Sequence, residues 1–510
     1  MQSIAKNADF HYNRIMFEWR FRITPEIIPI PFLETAYFAG WGRVPRLTHA
    51  NVRENELIVR AESFGSGTIH VPMPHQILGV VMESTESLLS RQQPYSLVRE
   101  LARGAIGRFY RRLFDWQMLG FQQPQEHADR MQSIAKRFSG LITKDPFEEN
   151  LEQEFVSVLN EMEIMILEEN KEFSEQSCSW RMRNDNRLPI TLAVKMPDQY
   201  MEKPLEVDKY AKLLQDSFQA VLPMPTWREL EPQPDQFNWE RLEKHLSLFP
   251  RFGFQIVFGP LLSFSTNALP DWLFPHLMEE GYFESRATRF VNLLAERYGH
   301  HVHSWFLCNR FVDQSFPHMP LERTLSLVHM LAQQLRSKGI DVPFIVGITQ
   351  PWGEYALQQT PGWEQVQIAE ALMSCRDIDA FLIEINLGFG PHLTWPRDPM
   401  TIGNMIDQWS FLGKKVYVSI SVPSSGNPIA IETEFAQNWQ WSEERQRVWT
   451  ETLLLTILGK RAVRGIFWSH LQDSSESSNA MESDYGLVSA GHTMKPAFKH
   501  FYAARKNLLE

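Results

Sequence analysis

Eight short apolar runs, each followed by a helical pattern, constrain this chain more than any other feature. They read "ITLAV", "SFQAVLPM", "FQIVFGP", "HSWFLCN", "PFIVGITQ", "IDAFLIEINL", "KVYVSIS" and "VRGIFWSHL". Between them lie segments such as "GYFESRATRFVNLLAERYGHH". Continuous apolar strands separated by helices imply a parallel sheet covered on both faces. Eight such units close into a (β/α)8 TIM barrel, whose chemistry sits at the C-terminal ends of the strands. The expected fold class is therefore α/β, with the barrel over residues 186–510.

At 510 residues the chain exceeds one such barrel. Residues 1–95 read as a β-rich module, with "NELIVRAES" and "GTIHVPM" as strands, "FGSG" as the turn and "LGVVMES" as a third strand. Residues 96–180 read as a helical hairpin. Leu97, Leu101, Ile106, Phe109, Leu113 and Trp116 recur at helical spacing, with Arg99, Arg103, Arg108, Arg111 and Arg112 between them. A second, acidic helix carries the stripe Phe155, Leu159, Met162, Ile166. An antiparallel pair would set the arginines against its carboxylates. The hexapeptide "MQSIAK" occurs at both 1–6 and 131–136; one short repeat does not make a repeat fold.

The net charge is −11, and a negative field repels phosphate backbones, so nucleic acid is not an expected partner. The three cysteines, Cys178, Cys308 and Cys375, form no CxxC pair. No disulfide framework is expected, and a reducing compartment fits. The first residues show no apolar run followed by a small-residue cleavage site, and no apolar stretch is long enough for a bilayer. The expectation is a soluble cytoplasmic protein with no membrane partner and no cofactor. Its oligomeric state is not legible. "HHVH" at 300–303 has metal-like composition, yet it precedes the fourth strand and so lies at the end of the barrel away from the chemistry. Sixteen tryptophans raise the question of ring-stacking sites as against plain core filling.

The order of several blocks resembles the family-10 glycoside hydrolases, the β-1,4-xylanase group of retaining barrel enzymes. "WRELEPQPDQFNWERLEKHL" (227–246) is similar to that family's second-strand block, led by Trp227. "LPDWL" (269–273) is similar to the segment after its third strand, and "VHSWFLCNR" to the fourth, with Asn309 where the family has Asn. "VRGIFWSHLQD" and "YGLVSAGHTMKPAFKHFY" are similar to the eighth strand and the closing helix. The resemblance covers about three-fifths of the chain. It implies a carbohydrate ligand, an oligosaccharide or polysaccharide fragment.

The departures fall on the family's catalytic positions. Where the resemblance implies the acid/base Glu, this chain has Arg310, and Ile420 and serines stand where the nucleophilic Glu would be. The third-strand His is also missing from "GPLLSFS". Arginine keeps its proton at neutral pH and cannot serve as the acid. Two other carboxylates stand near adjacent strand ends: Glu354 after strand five and Glu384 on strand six. Adjacent strands lie about 4.8 Å apart, so the pair is within reach of the separation glycosidases use. Glu384 and Asn386, two apart, are expected to share one direction, into the barrel mouth. Ile383 and Ile385 would desolvate Glu384 and suit it to an acid role, whereas a close Arg310 would favour the carboxylate. Trp352 and Trp468 are candidate sugar platforms, as are Trp439 and Trp441, unless Ser442 begins a packed helix there. Gln350, Asn309, His470 and Asp473 are candidate hydroxyl partners. Asp473 and Glu476 also read as loop acids.

The leading expectation is hydrolysis of a glycosidic bond through the displaced pair Glu384 and Glu354. The alternatives are a non-catalytic carbohydrate-binding pseudo-glycosidase, with Arg310 and Glu384 as a buried ion pair plugging the mouth, and a scaffold whose helical region presents an exposed apolar patch to a protein partner.

Overall fold

The computed structural model describes residues 15–510 except 25, 41–44, 64, 146–147, 149, 184–185, 197–210, 212–213, 224, 312–319, 353–364, 389–394, 427–438 and 474–483. The chain forms two compact units. One comprises residues 1–74, 82–114 and 128–164; the other comprises 75–81, 115–127 and 165–510. Compactness thus cuts across the order of the chain, because parts of the helical segments belong to each unit.

The larger unit contains the barrel. Its strands are β1 (Thr191–Lys195), β2 (Ala220–Leu222), β3 (Gln255–Phe258), β4 (Ser304–Asn309), β5 (Phe344–Thr349), β6 (Ala380–Asn386), β7 (Lys415–Ser421) and β8 (Val463–Trp468). All pair in parallel in sequence order, and β8 returns to β1 with Gly465 opposite Thr191 and Trp468 opposite Val194. The barrel is closed and has no free edge.

Strand parity sorts the side chains into two cores. Ala193, Ala220, Leu222, Val257, Phe306, Ile345, Ala380, Leu382 and Phe467 fill the interior, with Tyr417 against them. The alternate residues, among them Val194, Ile256, Val346, Ile383, Ile385, Val418 and Trp468, join the core shared with the helices. The helices supply a matching apolar face. In Tyr282–Tyr298 the buried residues Phe283, Ala287, Phe290, Val291, Leu294, Ala295 and Tyr298 follow the helical period. Their starts are capped where the sequence offers a cap. The Asp398 carboxylate accepts from Thr401 N at 2.9 Å, and Ser442 Oγ from Arg445 N at 3.2 Å. Gly465 faces inward, and a Cβ there would lie 2.5 Å from the Tyr417 ring, so only glycine leaves that ring its place.

Residues 75–81 belong to this unit. Leu78 O accepts from the indole of buried Trp449 at 2.9 Å, and His75 Nδ1 accepts from Ile77 N and Leu78 N, both at 3.1 Å. His75 is 1% exposed, and burial pushes its pKa down to about 4. The unfolded imidazole protonates near pH 6.5. Between those values the unfolded chain binds a proton that the folded chain refuses, so stability is complete above about pH 6.5 and falls as pH drops toward 4. A loss of up to roughly 3 kcal/mol is expected across that window. Urea denaturation at pH 7 and 4.5 should show it. His75→Asn, which keeps an acceptor but removes the titration, should flatten the decline.

In the smaller unit, Glu56–Ser63 pairs antiparallel with both Ile15–Arg22 and Thr48–Arg53. Trp19 anchors its core: the indole donates to Leu88 O at 3.1 Å and stacks on Phe38 at 4.5 Å. The expected two-helix hairpin is corrected to three helices, Leu97–Met118, Gln125–Leu141 and Leu151–Met182. Arg99 of the first pairs with Glu100 of the same helix, Arg108 with Glu83 and Arg111 with Glu86. The acidic helix meets Arg137 of the middle helix, through Glu161 at 2.7 Å. A helical period shows which face is buried but not which neighbour the polar face meets. Tyr110 and Phe114 of the first helix are exposed apolar residues spaced one turn apart. Among the described residues, no helix is long and apolar enough to cross a membrane.

Candidate functional site

Parity places a ring of polar side chains at the C-terminal end of the barrel. On β6 the interior residues Ala380 and Leu382 are followed, two by two, by Glu384 and Asn386. On β7 the same period brings Ser419 and Ser421 inward after Tyr417, and on β5 it brings Thr349 inward after Ile345 and Gly347. Lys195 ends β1 in phase with interior Ala193.

Strand β4 breaks the rule. A register shift lies between Phe306 and Cys308, so that Leu307 and Cys308 both join the outer core while Phe306 stays inside. The bulge turns Asn309 inward. Its Nδ2 donates to Glu384 Oε1 at 2.8 Å, and Thr349 Oγ1 donates to Glu384 Oε2. Glu384 is half-buried, with its carboxylate addressed by two donors, and its main-chain oxygen accepts from Gln350 N at 3.0 Å. Asn309 Oδ1 is buried without a hydrogen-bond partner among the described residues. Gly347 makes this arrangement possible. A Cβ there would lie 2.7 Å from Asn309 Cβ and 2.9 Å from the Phe306 ring. Gly347→Ala is therefore expected to displace Asn309 and cost about 1–3 kcal/mol in stability. Chemical denaturation measures the cost, and loss of any activity carried by Glu384 would accompany it.

Two expectations about Glu384 are corrected. Ile383 and Ile385 point to the helices, on the other side of the strand, and do not enclose the carboxylate. Nor does the carboxylate form an ion pair with Arg310 among the described residues: its partners are Asn309 and Thr349. Glu354, the second half of the expected pair, and Glu476 lie outside the described residues.

Directly after β4 and β5 stand Arg310 and Gln350, both with left-handed backbone, φ 58° and 47°. Side chains other than glycine, asparagine or aspartate seldom adopt that region, and such residues cluster at functional sites. Gln350 spends its amide on the backbone. Its Nε2 donates to Asn386 O at 2.8 Å, and its Oε1 accepts from Asn386 N at 3.3 Å. With 1% exposure it locks β5 to β6 and is not available to a sugar hydroxyl, which corrects its expected role.

The tryptophans divide. Trp468 is 0% exposed, faces the helix layer, donates to Tyr485 O at 3.1 Å and packs edge-on against Phe501. Trp227 is buried, stacked on Phe290 at 4.6 Å and hydrogen-bonded to Glu231 at 2.7 Å. Neither offers a free ring face, so both are corrected from sugar contacts to core. Trp352 is half-buried beside the strand-five end, with the Arg397 guanidinium 4.8 Å from its ring centroid. Trp441 is buried, as the packed-helix alternative required, and Trp439 lies 5.9 Å from Arg445.

His470 follows β8, its Nδ1 3.0 Å from Ser469 Oγ. Solvent reaches the ring, but surrounding protein strips much of its hydration. That desolvation, then the charges of Lys195 and Arg310, hold its pKa well below the usual value. Asp473 is corrected from hydroxyl partner to structural ion pair. It is buried against Lys495 at 2.6 Å and accepts from Gly486 N at 2.8 Å. Among the described residues no cluster of three or more His, Cys, Asp or Glu could hold a metal. His303 of "HHVH" accepts from Ile256 N at 3.1 Å, at the other end of the barrel. Sequence reasoning overlooked Thr349 and Lys195, although counting by twos from the interior residues would have found both.

Similarity to known proteins is low. A family model described as Beta-galactosidase (glycoside hydrolase 42) matches residues 196–280. A search of curated proteins finds no match. Among solved structures, xylanase 10B of Thermotoga maritima is similar at 13% identity and TM-score 0.48, covering 63% of this chain and 97% of that one. Xylanase 10B of Thermotoga petrophila RKU-1, solved with xylobiose, gives 14%, 0.48, 62% and 95% in the same order. A family-10 xylanase of Thermobacillus composti gives 15%, 0.44, 62% and 96%. The closed strand ladder by itself establishes that residues 191–468 build a (β/α)8 barrel, with Glu384 and Asn309 facing each other at its C-terminal end.

Proposed function

We propose that the barrel is a carbohydrate-active domain that hydrolyses a glycosidic bond, with Glu384 as the carboxylate nucleophile or base. One observation carries this reading: Glu384 faces inward at the C-terminal end of β6, held by Asn309 and Thr349. That is where barrel enzymes place their chemistry. Two donors fix both carboxylate oxygens, which suits an attacking or proton-accepting group rather than an acid. The acid is then a second carboxyl, and Glu354, at the end of the neighbouring strand in the sequence, is the candidate. Glycosidases need such a pair about 5–5.5 Å apart for retention or about 6.5–9.5 Å for inversion. Asn309, Arg310, Trp352, Asn386 and His470 would contact the sugar. The partial match to a β-galactosidase family model supports a sugar ligand.

The test is a screen of the full chain against aryl glycosides and oligosaccharides, comparing wild type with Glu384→Gln. Product release abolished in the variant supports the reading, and a silent wild type overturns hydrolysis. A second reading, binding without cleavage, draws on Arg310 after β4 and on the lone inward carboxylate among the described strand residues. It predicts glycan affinity that falls in Trp352→Ala, with no product released.

A further inference from the structure

Among the described residues at the barrel mouth, several charges run against the charge of the chain. The protein carries a net −11, yet basic side chains gather at the C-terminal end of the barrel. Lys195 is the last residue of β1, in phase with interior Ala193 and exposed. The β1–β8 register continues past Trp468 opposite Val194, so Ser469 comes level with Lys195, and Leu471 N bonds to Lys195 O at 3.1 Å. His470 lies between those two contacts. Arg310 comes from β4, across the barrel, where a left-handed φ of 58° turns the chain sharply out of the strand. Lys195 and Arg310 thus stand at the C-terminal ends of β1 and β4, near enough to His470 after β8 for both charges to disfavour its protonation. The inward carboxylate among the described strand residues, Glu384, is engaged by Asn309 and Thr349.

We propose that the mouth binds a glycan bearing an anionic group, a uronic-acid carboxylate or a sugar sulfate, recognised by Lys195 and Arg310. This rests on the carbohydrate reading of the same mouth. Both cations already have other partners, and the anion would join those rather than fill a vacancy. An arginine where the resemblance places an acid is then a selectivity element: its planar fork matches a carboxylate or sulfate in two parallel hydrogen bonds. His470, kept neutral beside two cations and with Nδ1 against Ser469 Oγ, has Nε2 left for a hydroxyl next to the charged group.

The experiment is calorimetric titration of the full chain with three oligosaccharide sets: uronate-containing, the same oligomers with carboxyls reduced to alcohols, and sulfated. Acidic oligomers are expected to bind at least about tenfold more tightly than their reduced counterparts. The preference should shrink as salt rises from about 0.02 M to about 0.5 M, because screening weakens charge pairing. Lys195→Gln and Arg310→Gln should each lower the acidic-to-neutral ratio. The salt series on wild type stands by itself should either variant misfold. Preference for sulfate over carboxylate, or the reverse, supports the proposal and identifies the anion. Equal affinity for acidic and reduced oligomers overturns it and leaves the carbohydrate reading standing; no binding to any glycan overturns both.

Discussion

Glu384→Gln is expected to lower turnover of a responsive glycoside by about 10²–10⁴-fold, the range for removing a positioned catalytic proton acceptor. The substitution is nearly isosteric. Its amide oxygen can keep the hydrogen bond from Asn309 Nδ2, now 2.8 Å long, and its amide nitrogen can donate to Thr349 Oγ1. Stability should therefore change little while the negative charge disappears. That combination separates chemistry from packing. Steady-state kinetics with an aryl glycoside, alongside a denaturation curve, checks it. Equal activity in the variant would remove Glu384 from the mechanism. A large loss of stability would instead mark the carboxylate as a structural plug.

Asp473→Ala is expected to destabilise the barrel unit by roughly 3–5 kcal/mol, because it leaves the Lys495 ammonium buried without its counter-charge. Lys495 is 4% exposed and its remaining described partner is Ser424 Oγ at 2.6 Å. Burial outweighs the ion pair in Asp473 itself and pushes its pKa up, as expected where desolvation competes with attraction. The double replacement Asp473→Asn with Lys495→Met should recover most of the loss, since neither partner is then an uncompensated charge. Urea denaturation of the wild type and the two variants measures this. A residue that served only to bind sugar would leave the denaturation midpoint unchanged on truncation.

The barrel was legible because its signal is local and repeated. Runs such as "IDAFLIEINL" must be covered on both faces, and eight of them alternating with helices have few ways to pair. The direction of Glu384 was legible for the same reason: counting by twos along β6 from Ala380 and Leu382 gives it. The same count, applied to β8, would have shown that Trp468 opposes Phe467 and belongs to the helix layer. Composition drew attention to the tryptophan, and parity decided its place.

Sequence by itself determined the period of each strand, hence which side chains share a face. Tertiary structure decided who meets whom. Nothing in "SWFLCN" announces the bulge that turns Asn309 inward toward Glu384; it depends on the fit of Phe306 beside Gly347 across the β4–β5 pair. Nor does the chain order reveal that Gln350 closes on the Asn386 backbone, or that Lys495 neutralises Asp473 from 22 residues away. Such pairings come from packing and charge neutralisation between segments distant along the chain, and strand period carries no record of them.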